Sequence, residues 1–270
     1  MSSSDRLGVY GFALSGLAGA ARLMHRADEN WPTLQVERGD LGLARVDVEL
    51  PLRGEGVLRM QREPLRAGFA LPTPVDDAEL LHPYLVPAAA LAGRWHGRQA
   101  FHAGGFVVGD GVWAVVGERE TGKSTLLAGL HANGIPVVCD DMLMVSDGVV
   151  FPGPRAIDLR AEAARELGLG EPIGLVGARE RWRLTLDGEI DALPLRGWVF
   201  LEWGERSQLG SLPPAERVSR LLRQRTLQDQ GGDPAVLDLV AKPAVVLRRP
   251  RHYATVVEDA QLLVHALVQQ

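Results

Sequence analysis

Two stretches of this chain bring together residue types that do phosphate chemistry. The first is Gly117-Glu118-Arg119-Glu120-Thr121-Gly122-Lys123-Ser124-Thr125, which fits the pattern G-x-x-x-x-G-K-[ST]. Gly117 and Gly122 allow a tight backbone turn, so successive N–H groups converge on phosphate oxygens. Lys123 adds a positive charge near the β- and γ-phosphates of a nucleotide. The Ser124 hydroxyl is a hard oxygen donor suited to Mg²⁺. A helix starting here turns its positive end toward the anion. The second stretch is Asp140-Asp141. One carboxylate of such a pair can orient a metal ion while the other accepts a proton from an attacking hydroxyl. Two aspartates at a strand end also serve as a helix cap or a turn.

The flanks supply the elements that must position these groups. Val112-Trp113-Ala114-Val115-Val116 is an apolar run that reads as a buried strand leading straight into the loop. Leu126, Leu127 and Leu130 mark one apolar face of a helix, and Asn133-Gly134 its C-terminal cap. Residues 135–139 read as a short buried strand with Pro136 at its start. Strand, P-loop, helix and strand make a βαβ unit, whose crossover brings Asp140-Asp141 beside the loop. Upstream, residues 106–108 and the turn Gly109-Asp110-Gly111 predict a hairpin feeding the loop. The strand before the loop then has an antiparallel neighbour, so the sheet is mixed.

Residues 94–170 resemble the HPr kinase/phosphorylase family and its small kinase relatives, some of which phosphorylate serine in peptide natural-product pathways. The resemblance rests on the P-loop, on His102 ahead of it at the family's spacing, and on Asp140-Asp141 behind it. It implies an α/β P-loop kinase domain with a mixed sheet that uses ATP and Mg²⁺. It implies Asp141 as the base that activates an acceptor serine, with His102 as a second active-site residue. It implies Glu166 as a metal-binding residue, at the matching distance from Asp141. Asp140 then falls to the metal together with Ser124, because it ends the apolar run as a Walker B aspartate does. Where the family loop usually carries Ser-Gly, this chain has Arg119-Glu120, which alters the local charge.

Residues 1–92 read as a small strand-rich α+β module, suited to recognition, ahead of the P-loop domain over 93–270. Strands are predicted over 7–14, 34–37, 44–50, 57–60 and 67–71, with a short helix over 17–25. Chain breaks are predicted at Pro51 and over 54–56. Asp76-Asp77 reads as a solvated turn. A helix over 79–91, interrupted near Pro83 and Pro87, joins the two parts. Beyond the acidic pair, strands are predicted over 142–145, 149–151, 194–203 and 244–247, and helices over 161–167, 214–222 and 257–268. Arg155, Arg160 and the alternating Arg179, Arg181 and Arg183 are candidates for phosphate or acceptor contact, or for a solvated face.

Composition bounds the rest. The chain has 270 residues, 46% of them apolar, enough for one large domain or two modest ones. A formal net charge of −5 with scattered basic residues, mostly arginine, argues against a nucleic-acid partner. No apolar run of about 18 residues occurs, so no membrane span is expected. The N-terminus lacks a basic n-region, and a single cysteine, Cys139, excludes an internal disulfide; both suit the cytoplasm. The expectation is an ATP- and Mg²⁺-dependent kinase acting on a serine hydroxyl of a peptide or protein, compatible with a homo-oligomer. Two alternatives stay open. One is a non-kinase P-loop ATPase or nucleotide switch, with water as nucleophile. The other is a kinase for free serine or a similar small molecule.

Overall fold

The computed structural model describes residues 6–39, 45–52, 56–176, 179–227 and 234–269. Ala44 and the predicted break at Gly54-Glu55 lie outside them. The first sheet starts with β1 (Leu7–Val9) and β2 (Phe12–Ser15), which form a hairpin where one strand was predicted over 7–14. Tyr10 and Gly11 turn the chain with φ of 58° and 78°. Tyr10 is apolar enough to hide a two-residue turn inside an apolar run. A 3₁₀ turn (Ala18–Leu23) leads to β3 (His25–Arg26). β4 (Thr33–Arg38), β5 (Val48–Pro51), β6 (Val57–Gln61) and β7 (Arg66–Ala70) complete seven strands in the order β3-β1-β2-β4-β7-β6-β5. β4 shows the period of two directly: Leu34 and Val36 are buried, Thr33 and Gln35 exposed.

Helices α1 (Asp77–Glu79) and α2 (Leu85–Trp95) follow, joined by a wide turn over Leu80–Tyr84. The predicted solvated turn at Asp76-Asp77 is in fact a cap. Asp76 accepts the Glu79 N–H at 2.7 Å, and Asp77 accepts the Gly19 N–H at 2.6 Å and pairs with Arg38. His82, just before Pro83, leaves helical geometry (φ −148°, ψ 114°). Pro87 causes no interruption, because it stands in the first turn of α2, where no helical N–H is needed. α2 runs across positions 92 and 93. Its Ala88, Ala89 and Ala92 share one core with Phe12, Leu34 and Phe69, and with Met142 and Met144 from far along the chain.

The remaining elements are β8 (Gln99–Phe101), β9 (Ala103–Val108), β10 (Gly111–Val116), α3 (Lys123–Ala132), β11 (Val137–Cys139), β12 (Leu143–Ser146) and β13 (Val149–Phe151). Then come β14 (Ala156–Arg160), α4 (Ala161–Leu167), β15 (Glu171–Val176), β16 (Arg179–Thr185), β17 (Leu193–Trp203), β18 (Gln208–Gly210), α5 (Pro214–Arg223), α6 (Pro234–Ala241), β19 (Ala244–Arg249) and α7 (Val256–Val268). A mixed nine-stranded sheet runs β11-β9-β10-β17-β13-β12-β8, with β19 and β18 continuing from β17; β14-β16-β15 is a separate small sheet. β9 and β10 form the expected hairpin, and β10 is buried along its whole length. β10, β17 and β19 run parallel side by side. Main-chain bonds tie the two large sheets together: Tyr10 N–H to the Pro152 carbonyl at 2.7 Å and Arg155 N–H to that of Leu23 at 2.9 Å. The Arg98 guanidinium lies over the rings of Phe12 and Phe151, at 4.4 and 4.5 Å. Among the described residues, no helix is long and apolar enough to cross a membrane.

Candidate active site

β10 ends at Val116 and the chain turns over Gly117 to Gly122 into α3. Gly122 is left-handed (φ 83°, ψ 31°) and caps α3. A side chain here would start 2.3 Å from Arg249 Nη2, and one at Gly117 would start 2.6 Å from Thr121 Oγ1. Both positions therefore need glycine. The Thr121 hydroxyl donates to the Glu118 carbonyl at 2.8 Å, closing the loop on itself. Lys123 is only 8% exposed, and its ammonium donates to the carbonyls of Gly117 (2.9 Å) and Glu118 (3.3 Å). Burial lowers its pKa, while Asp140 and Asp141 oppose that. Glu120 also takes a positive φ, 69°, with its carboxylate 2.6 Å from Arg160 and 3.6 Å from Arg179.

β9 lies between β10 and β11 and is antiparallel to both, so β10 and β11 run parallel, one strand apart. Gly104 makes this close: a Cβ there would fall 2.4 Å from Leu127 Cδ1, so α3 presses onto β9. The Ser124 hydroxyl thereby reaches the end of β11 and donates to Asp140 Oδ1 at 3.0 Å. Asp140 is 3% exposed. Burial first, and the neighbouring Asp141 second, push its carboxyl up to about 6, against the pull of His82 and Ser124. Cys139, fully buried just before it, is covered by Gly153 and Tyr10: a Cβ on Gly153 would lie 2.8 Å from the cysteine Cβ and 2.9 Å from the tyrosine ring.

At Asp141 the strand has ended. Its φ is 67°, and the Met142 N–H reaches back across it to the Asp140 carbonyl at 2.8 Å, a three-residue turn. Strand alternation therefore does not set the two side chains apart. Exposure does: Asp140 is buried under Ser124, while the Asp141 side chain is 42% exposed. A non-glycine residue held at positive φ is strained, and such strain gathers at functional sites. His102, between β8 and β9, places Nδ1 3.0 Å from the Asp141 carbonyl oxygen. A carbonyl only accepts, so Nδ1 carries the proton and Nε2 of the neutral ring is left as an acceptor. Burial, then the Lys123 charge, lowers the pKa of His102 and keeps it neutral.

The predicted residues divide as follows. The loop 117–125, Asp140, Asp141 and His102 come together. Glu166 is exposed on α4 and makes no hydrogen bond or ion pair with Ser124, Asp140 or Asp141. Among the described residues, no three His, Cys, Asp or Glu side chains are gathered as a metal cluster. Arg183 is withdrawn from any surface role. Its Nε and Nη2 clasp the Asp158 carboxylate at 2.8 and 2.9 Å, both side chains under 10% exposed. It also donates to the carbonyls of His82 (2.7 Å) and Ala78 (3.2 Å), and His82 Nε2 lies 3.7 Å from Asp158. Arg155 donates to the Leu186 carbonyl at 3.2 Å. Sequence reasoning missed Arg249 and Trp203. Arg249, 2% exposed, ends β19 with Nη2 3.4 Å from the Gly122 carbonyl, Nη1 3.7 Å from Asp259, and its guanidinium 4.8 Å from the Trp203 ring. The signal available was position: both residues end strands parallel to β10.

No family model matches the chain, and no curated protein matches it. Among solved structures, the Hpr(Ser) kinase/phosphatase from Coxiella burnetii is similar over 63% of this chain and 98% of its own, at 16% identity and a TM-score of 0.30. That is a distant likeness in a mixed α/β architecture.

Proposed function

We propose that this chain is a kinase that moves the γ-phosphoryl group of ATP to a hydroxyl, that of a serine in a peptide or protein. One observation carries the reading. A single P-loop has two adjacent carboxylates in opposite settings: Asp140 buried against Ser124, and Asp141 open beside His102. The first setting suits metal, the second a reacting hydroxyl. The serine acceptor rests on the resemblance of His102, the P-loop and Asp140-Asp141 to the HPr kinase family.

Residues 117–125 would hold the triphosphate through their N–H groups and Lys123, whose ammonium passes from the carbonyls of Gly117 and Glu118 to phosphate oxygens. Ser124 and Asp140 offer hard oxygens 3.0 Å apart, a donor set that fits Mg²⁺. Bound there, Mg²⁺ would supply positive charge beside the phosphates, with Ser124 and Asp140 holding it. The acceptor oxygen attacks phosphorus, its proton goes to Asp141, and the bond from phosphorus to the β-phosphate oxygen breaks, releasing ADP. His102 holds Asp141 in place through its Nδ1–H.

The test is incubation with ATP, Mg²⁺ and serine peptides or free serine, read by mass spectrometry. A phosphorylated peptide is the expected product. Phosphate released with no acceptor modified marks an ATPase and overturns the reading. Phosphoserine formed in preference to phosphopeptide moves the acceptor to a small molecule.

A further inference from the structure

We propose that the indole of Trp203 is the platform on which the base of the bound nucleotide stacks, with Arg251 closing over it. The inference rests on reading residues 117–125 as a nucleotide loop. β17 is parallel to β10 and to β19, with Val116 opposite Phe200 and Trp203 opposite Arg249. Trp203 thus stands past the level at which β10 becomes the P-loop. In open α/β sheets, ligands bind in the crevice outside the carboxyl ends of parallel strands. The ring edge of Trp203 is 3.2 Å from the point where a Gly122 side chain would begin, so the indole adjoins the phosphate loop.

Its surroundings suit a flat, electron-rich ligand. The half-buried ring has the Arg249 guanidinium at 4.8 Å and that of Arg251 at 5.7 Å. Arg249 is anchored by Asp259, which is itself fully buried. Arg251 is exposed and makes no ion pair among the described residues, so it can move over a base. A purine between an indole and a guanidinium gains stacking and cation–π attraction together. The competing account is that Trp203 merely props Gly122.

The test compares the binding of ATP and of inorganic tripolyphosphate, each with Mg²⁺, to the full chain and to Trp203→Ala, Trp203→Phe and Arg251→Ala. Base stacking on an aromatic side chain is worth about 1–3 kcal/mol, so Trp203→Ala should weaken ATP by roughly tenfold or more and leave tripolyphosphate unchanged. Trp203→Phe should recover most of the loss. Arg251→Ala should weaken ATP a few-fold, again without touching tripolyphosphate. Equal losses for both ligands would make Trp203 a prop and overturn the proposal, as would no loss for either. If Trp203→Ala does not fold, Arg251→Ala decides by the same comparison. Wild-type protein that binds neither ligand overturns the nucleotide loop itself, and the base platform with it.

Discussion

One imidazole holds both the backbone and the side chain of Asp141: His102 Nδ1 is 3.0 Å from its carbonyl oxygen and 3.3 Å from its carboxylate. The proposed base is therefore positioned by a neutral donor that leaves its outer oxygen open. Asp141→Asn keeps size and most hydrogen bonding but removes the proton acceptor. Phosphoryl transfer should fall by about 10²–10⁴-fold, with ATP affinity near normal. Transfer at the wild-type rate would end the base assignment. His102→Ala should give a smaller loss, since the turn at Asp141 remains.

Lys123→Ala removes the charge that now caps the carbonyls of Gly117 and Glu118. Turnover should be largely abolished while the far-ultraviolet circular dichroism stays that of the wild type. Undiminished turnover in a folded variant counts against the P-loop itself.

Glu120 occupies Arg160 and Arg179 with its own carboxylate. In Glu120→Gln those arginines become available to an incoming anion. The side chains are close to half exposed, so the gain is small. Tripolyphosphate should bind about two- to fivefold more tightly at low ionic strength, and the difference should vanish in high salt. Weaker binding of tripolyphosphate would show that Glu120 instead supports the loop.

Asp158 and Arg183 form a buried, two-pronged pair that also fastens the turn at His82. Removing one partner leaves an uncompensated buried charge. Asp158→Ala should cost about 3–5 kcal/mol in urea unfolding. A loss below about 1 kcal/mol would mean that water reaches Arg183.

His25 gives the fold a pH dependence with a definite sign. Ile190 N–H donates to its Nδ1 at 3.1 Å, so Nε2 carries the proton that meets the Gly153 carbonyl at 3.0 Å. A second proton on Nδ1 would face a donor. Burial chiefly lowers the pKa from 6.5 to about 4. The unfolded chain then binds the extra proton first as pH falls. His25 favours the fold fully above pH 6.5, and the contribution fades between 6.5 and about 4, roughly 3 kcal/mol in all. Urea midpoints for wild type and His25→Gln across that range test this: the variant should lose the slope.

The strand, glycine turn and helix over 111–132 were legible in the sequence because each part is local: an apolar strand, two glycines at fixed spacing, and a helix with a leucine face. So was the hairpin of β9 and β10. The turn at Tyr10-Gly11 was not, because turn chemistry there is carried by a tyrosine. The different settings of Asp140 and Asp141 were also hidden. They depend on where β11 stops and on a positive-φ turn, which aspartate tolerates better than most residues but does not by itself specify. Arg183 shows the limit of alternation: period two puts it on one face with Arg179, and only the partner Asp158 on β14 says that Arg183 is buried while Arg179 stays open. The Trp203 and Arg249 cluster required knowing that β17 and β19 lie beside β10. A boundary between 92 and 93 follows from composition and breakers. Met142 and Met144, which pack with α2, contribute to the first sheet's core from far along the chain.

The complete burial of Cys139 gives this molecule a clock of its own. Cys139 is the chain's single thiol, and burial pushes its pKa up, so the closed form has almost no thiolate to offer a disulfide reagent. The Cys139 sulfur lies beside Gly105 of β9, within the core of the nine-stranded sheet, so labelling must wait for an excursion that opens β9 and β11. The labelling rate in native buffer therefore counts how often that sheet opens at the strand leading to Asp140. Because the reporter is one residue from that carboxylate, any ligand that quiets this excursion will register as slower chemistry at sulfur, with no engineered probe.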